Sequence, residues 1–361
     1  LIVVVLILGG LLGLAADYVR ETRRQRAAVA QIQRAGGHVL YAWEWRDGKP
    51  LPVGSPRPGP KWLFKRLGPD YFGDVVVVSL SNLGGRANDA LMAQVGHLRR
   101  LEYLDLYGTA VTDASVVHVR GLTRLKELRL RHTGVRGPGL KALSGMAALE
   151  NLMLPEFPIT DAELAPLAGL TKLKQMIIRS DRVTDAGLVH LKGMRQLEML
   201  ELTGTKVTSL EPLRGLTRLK WLTLATSPVD DAGLRPVAGF RDLEHLRLGR
   251  TRITDASLDN VASLLKLKSL DLNRTRITDA GLPRLAGLSG LTMLNVSSTL
   301  VTDDGLGRLA RAWNPNTART LVVSGPGITP AGVDSLREKL PAAQIFAPDL
   351  DSTKAQPRSV E

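Results

Sequence analysis

Thr-Asp is the pair this chain repeats most often at a spacing that could do chemistry. It occurs at Thr112-Asp113, Thr160-Asp161, Thr184-Asp185, Thr254-Asp255, Thr278-Asp279 and Thr302-Asp303. Carboxylates in such number would suit acid–base work or cation binding. Each, however, sits just ahead of a short apolar stretch at helical spacing, such as Leu188, Leu191 and Met194, where Thr and Asp serve as helix N-caps. Capping accounts for them without a catalytic pair. The other chemistry-bearing types are sparse. The six histidines are scattered, with His118 and His190 recurring at one helix position. There is no cysteine and no H-x-x-x-H, so a metal centre has no sequence support. No G-x-S-x-G, phosphate-binding loop or dinucleotide fingerprint follows a strand. The expectation is a binding protein, not an enzyme, with no cofactor.

The element that carries each Thr-Asp is a repeat. "TRITDA" stands at 251–256 and again at 275–280, within a series that includes "TAVTDA" (109–114), "FPITDA" (157–162) and "DRVTDA" (181–186). The central Val or Ile recurs every 24 residues, with one step of 22 at "TSLEPLRGL". Upstream of each copy lies L-x-x-L-x-L: "LEYLDL", "LKELRL", "LENLML", "LKQMII", "LEMLEL", "LKWLTL", "LEHLRL", "LKSLDL" and "LTMLNV". Its last apolar positions alternate as a half-buried strand requires. Each unit is therefore a strand, a turn and a short helix, and neighbours must supply the core that one unit cannot close.

This pattern resembles the leucine-rich repeat over residues 75–347, in the "TDAGL" form found in bacterial repeat proteins and in F-box-associated repeats. No F-box precedes the repeats. The resemblance implies an α/β solenoid of about ten repeats, a curved horseshoe with parallel strands on the concave face and short helices on the convex face. Thr, Ser, Asp or Phe replaces the usual asparagine of the turn, which leaves that turn's hydrogen bonding open. The expected organisation is an N-terminal apolar segment (1–16), a basic juxtamembrane helix or linker (17–37), an aromatic-rich N-terminal cap (38–80), repeats (81–329), a C-terminal cap (330–347) and a disordered tail (348–361).

Solenoids bind on their strand face. The outward strand positions vary while the leucine frame does not, and the hot-spot types among them are Tyr103, Tyr107, Arg129, Arg131, Arg179, Trp221, His245 and Arg247. These are the expected contacts to a protein partner. The alternative for Trp221 is packing against a neighbouring strand residue. The alternative function is binding of an anionic polymer, nucleic acid or acidic envelope polysaccharide, through a basic rim of Arg182, Lys206, Arg252 and Arg276. A solvated rim is the plainer reading of those four. One further column alternates in sign: Glu102, Lys126, Glu150, Lys174, Glu198, Lys220, Glu244, Lys268. Neighbouring parallel strands would bring these together as attractive pairs on both sides.

The net charge of +13 suits acidic partners or lipid, or simply a solvated surface. "LIVVVLILGGLLGLAA" opens the sequence on Leu rather than Met, so residues are expected to precede it. The segment reads as a single-pass membrane anchor, or as a signal peptide cleaved near "GLAA". Arg20, Arg23, Arg24 and Arg26 behind it favour the cytoplasmic side for the rest of the chain.

Overall fold

The computed structural model describes residues 2–52, 55–155, 157–313, 315, 318–348 and 350, with side chains from residue 13 onward. The tail expected to be disordered therefore lies almost wholly outside the described residues. The chain forms two compact units, Leu1–Phe157 and Pro158–Glu361.

The first unit opens with one helix, Ile2–Arg34. Ala28, Val29 and Ile32 are buried on it, and Gln25 holds the cap by donating to the Gly73 carbonyl at 2.9 Å and accepting from the Val75 N–H at 3.0 Å. The expected membrane anchor is corrected here: no helix among the described residues is long and apolar enough to cross a membrane. The uncharged run ends at Ala16, and the same helix then continues through Asp17, Arg20, Glu21, Arg23, Arg24 and Arg26. The membrane as a partner, the single-pass location and the cytoplasmic side inferred from the arginines fall with the anchor.

After this helix, strand His38–Tyr41 pairs antiparallel with Val75–Ser79, and Tyr103–Asp105, Glu127–Arg129 and Asn151–Met153 add in parallel. Between the first two strands, Tyr41 stacks on Trp43 at 4.7 Å and Phe64 on Phe72 at 5.2 Å, with Trp43 against the Phe64 edge. These rings form the aromatic cluster of the cap.

The second unit is a parallel array in sequence order: Gln175–Ile177, Met199–Glu201, Trp221–Thr223, His245–Arg247, Ser269–Asp271, Met293–Asn295, Thr320–Val322 and Gln344–Phe346. Register places Leu200, Leu222, Leu246, Leu270 and Leu294 side by side, all buried. Each such leucine contributes roughly 1.5–3 kcal/mol of burial. The turn left open by the sequence is closed within five of these repeats. Thr205, Ser227, Thr251, Thr275 and Thr299 are buried and donate their hydroxyls to the carbonyls of Leu202, Leu224, Leu248, Leu272 and Val296.

The Thr-Asp pair does more than cap. Thr184 and Thr254 accept from the N–H groups of Ala186 and Ala256, as N-caps do. The aspartate reaches forward to the next repeat. Asp161 accepts from Thr184 N–H at 2.8 Å and Thr184 Oγ at 2.7 Å; Asp231 binds Thr254, Asp255 binds Thr278 and Asp279 binds Thr302 in the same two-point manner. The glycine of "TDAGL" is explained by this bridge. A Cβ on Gly187 would fall on the Asp161 carboxylate, and one on Gly281 on that of Asp255. Where Ser257 replaces that glycine, its hydroxyl donates to Asp231 instead.

The alternating column pairs, but to one side. Lys126 bonds Glu102 at 2.8 Å, Lys220 bonds Glu198 at 2.8 Å and Lys268 bonds Glu244 at 2.6 Å, each lysine taking the glutamate of the repeat before it. Such exposed pairs add little to stability and act more to hold register.

Candidate functional site

The strand positions sort the predicted contacts into two groups, one in each unit. In the second unit, register sets Trp221 between Met199 and His245, and Thr223 between Glu201 and Arg247. The Trp221 and His245 rings lie 4.5 Å apart at 32°, and the Arg247 guanidinium sits over the indole at 5.0 Å. Trp221 Nε1 donates to Thr223 Oγ1 at 3.1 Å, which fixes the ring while leaving it half-buried. The indole does pack on a neighbouring strand, through His245, and still presents a face. Burial first, then Lys268 and Arg247, holds His245 below its ordinary value against the opposing pull of Glu244, so it is neutral at pH 7. Exposed Ile177 extends this surface on the next row. Arg179 is instead committed to Glu201 at 2.6 Å.

In the first unit the same columns are largely satisfied internally. Tyr103 lies 5.6 Å from Trp45 and beneath Arg129 at 5.1 Å. Arg129 bonds Glu127 at 2.7 Å and reaches Asp105 at 3.6 Å. Burial pushes the Tyr103 phenol up to about 12; Arg129 opposes this, while Asp105 and Glu127 add to it. Tyr107 sets its ring edge-on to His132 at 4.9 Å, and Arg131 is exposed in the following repeat.

The rim residues Arg182, Lys206, Arg252 and Arg276 are all exposed. Lys206, Arg252 and Arg276 donate their backbone N–H to the carbonyls of Val183, Val229 and Ile253 in the repeat before. The column is broken by Pro228 and ends at Leu300, which is 61% exposed. Sequence reasoning missed Arg250 and Arg274, which stand two residues before Arg252 and Arg276. Both are exposed and adopt the left-handed backbone region, with φ of 59° and 53°. The doubled "RTR" of "GRTRITDA" and "NRTRITDA" was the available signal. Among the described residues no group of three or more His, Asp or Glu side chains is arranged to hold a metal ion.

Comparison with known proteins bears on the fold. Residues 122–144 and 263–286 match a family model described as Leucine Rich repeat. No curated protein matches the sequence. Among solved structures, the chain is similar to the internalin inlF of Listeria monocytogenes at 22% identity and a TM-score of 0.44, covering 69% of this chain and 90% of that one. It is similar to the plant peptide hormone receptor RGFR1, solved in complex with RGF2, at 17% identity and a TM-score of 0.48, covering 71% and 45%. It is also similar to the leucine-rich-repeat protein LIC12759 of Leptospira interrogans at 18% identity and a TM-score of 0.53, covering 70% and 68%. With the parallel strands in register, each followed by its turn and short helix, the family match and the Leptospira structure identify the fold as a leucine-rich-repeat α/β solenoid.

Proposed function

We propose that this protein is a non-catalytic interaction scaffold whose second unit docks a protein partner on its strand face, around Trp221, His245 and Arg247. The observation that supports this most is the state of the indole. Trp221 is fixed by Thr223 and His245, yet its ring and the guanidinium above it remain open to a partner. A preset aromatic with an arginine beside it is the usual composition of an interface hot spot, because little side-chain entropy remains to be lost on docking. In the first unit, Tyr103 and Arg129 direct the same chemistry at Trp45, Glu127 and Asp105. That contrast favours the second unit as the centre of binding.

Photo-cross-linking tests it. A photoreactive residue placed at Ser269, beside His245, should capture a partner that one placed on the helix side at Lys192 does not. Trp221→Ala with Arg247→Glu should abolish that capture while leaving the melting temperature unchanged. Equal capture from both faces, or capture unaffected by the double substitution, would refute the reading. The anionic-polymer alternative gains no support from the rim, because Pro228 interrupts the track a polymer would take.

A further inference from the structure

Several cations of the second unit are paired: Arg179 with Glu201, Lys220 with Glu198, Lys266 with Asp242, Lys268 with Glu244 and Arg284 with Asp259. Five arginines that cluster in two consecutive repeats are not: Arg247, Arg250, Arg252, Arg274 and Arg276. All are exposed, and none lies at ion-pair distance from a carboxylate among the described residues. Carboxylates of these repeats are engaged elsewhere: Asp231 takes Thr254 and Ser257, Asp255 takes Thr278, and Asp271, the strand neighbour of Arg247, takes Asn273.

Like charges are also held close. The Arg250 N–H donates to the Asn273 carbonyl at 2.8 Å, so Arg250 and Arg274 occupy equivalent places on adjacent repeats. Such places are about 4.8 Å apart. Arg252 and Arg276 repeat the relation two residues on. Arg250 and Arg274 moreover adopt left-handed backbone, a conformation that the equivalent Gly204 reaches at φ 70° without a side-chain penalty. Arginine there carries a backbone strain that glycine avoids, as Thr226 and Ser298 do at the same turn position. A group of exposed guanidiniums outside ion-pair distance of the described carboxylates is complementary to carboxylates, which the planar guanidinium binds in two-point fashion.

We propose that the partner docked at Trp221 contributes an acidic segment, a run of Asp and Glu side chains, that lies across Arg247, Arg250, Arg252, Arg274 and Arg276. This rests on the strand-face reading above and adds the chemistry of the partner. The patch is compact, bounded by Pro228 on one side and Leu300 on the other, which suits a short peptide segment rather than a long polymer.

The test uses the full chain and a fluorescein-labelled peptide of alternating Glu and Asp, with a Gln/Asn peptide of equal length and a heparin oligosaccharide as comparators, in low-salt buffer. The acidic peptide should bind and the neutral one should not. Arg250→Glu with Arg274→Glu should weaken binding by about tenfold or more. Lys192→Glu with Arg235→Glu, an equal charge change on exposed cations of the second unit's helix side, should change it by less than about twofold. Arg250→Gly with Arg274→Gly removes the charge while easing the backbone, and should also weaken binding, which separates the effect from misfolding. Equal losses in the two charge reversals, or retention by the glycine pair, would overturn the proposal. So would heparin binding through the same arginines without peptide binding. Trp221→Ala scores the strand-face reading separately: if partner capture survives it, that reading fails, whereas the ridge variants judge the acidic segment alone.

Discussion

Substituting Gly187 by Ala is a severe test of the inter-repeat bridge, because local and tertiary reasoning predict opposite signs. Gly187 lies in the short helix Asp185–Leu188, where alanine ordinarily stabilises by about 0.5–1 kcal/mol relative to glycine. In the folded protein, however, the new Cβ would occupy the place of the Asp161 carboxylate. That carboxylate accepts from Thr184 N–H at 2.8 Å and Thr184 Oγ at 2.7 Å, and is only partly buried. Hydrogen bonds to a charged group are worth about 1.5–3 kcal/mol each, and with water replacing part of the loss the pair should be worth roughly 2–3 kcal/mol. Set against the helical gain, Gly187→Ala should destabilise by about 1–2 kcal/mol in urea unfolding, seen as a lower midpoint at unchanged slope. In an Asp161→Ala background the new Cβ meets only Leu164 Cδ1, at 3.1 Å and at the end of a flexible side chain, so the same substitution should stabilise by about 0.5–1 kcal/mol. The double-mutant cycle should therefore show a coupling of roughly 2–3 kcal/mol. Stabilisation by Gly187→Ala in the native background would refute the bridge as the reason for the glycine.

Other groups carry further expectations. Burial alone would raise the Asp231 carboxyl, but hydrogen bonds from Ser257 and Thr254 outweigh it and hold the group below the usual range. Its stabilisation is thus present above an unfolded value of about 3.9 and lost as pH falls through the lower folded value. Asp231→Asn should flatten the acid limb of a stability–pH curve; an unchanged limb would exclude the assignment. Tyr103 is pushed up to about 12 and Tyr41 is raised further, chiefly by burial, so their neutral forms favour the fold. That contribution is complete below about pH 10 and declines above it, and phenolate absorbance should show late-titrating tyrosines that ionise with the others only after unfolding. Thr226 is β-branched and sits at φ 60°, so Thr226→Gly should raise stability by about 1 kcal/mol, and a lower urea midpoint would contradict the strain argument.

The repeat is legible because its physics is local. Leu222, Leu246 and Leu270 recur at a spacing that fixes strand, turn and helix, and a parallel register then results from stacking equivalent units. The strand-face residues could be named for the same reason, since alternation decides which side chains point out. What those residues touch was not legible. Nothing in the chain order says that Arg129 goes to Glu127 while Arg247 lies over Trp221, because those choices depend on rotamers packed across strands. The apolar opening misled because its composition resembles an anchor. Its continuation as one helix through a charged stretch down to buried Ile32, with no described helix long and apolar enough to cross a membrane, is what overturned that expectation.

The sequence by itself determined the period, the leucine core, the capped turns and the absence of cysteine chemistry, all properties of residue type and spacing within one repeat. Only the tertiary structure decided that Asp161, Asp231, Asp255 and Asp279 serve the next repeat's threonine and that a glycine must make room for Asp161 and for Asp255. It alone also decided that five arginines of neighbouring repeats lie outside ion-pair distance of the described carboxylates. Those are relations between residues about 23 positions or more apart, set by how one repeat is laid against the next.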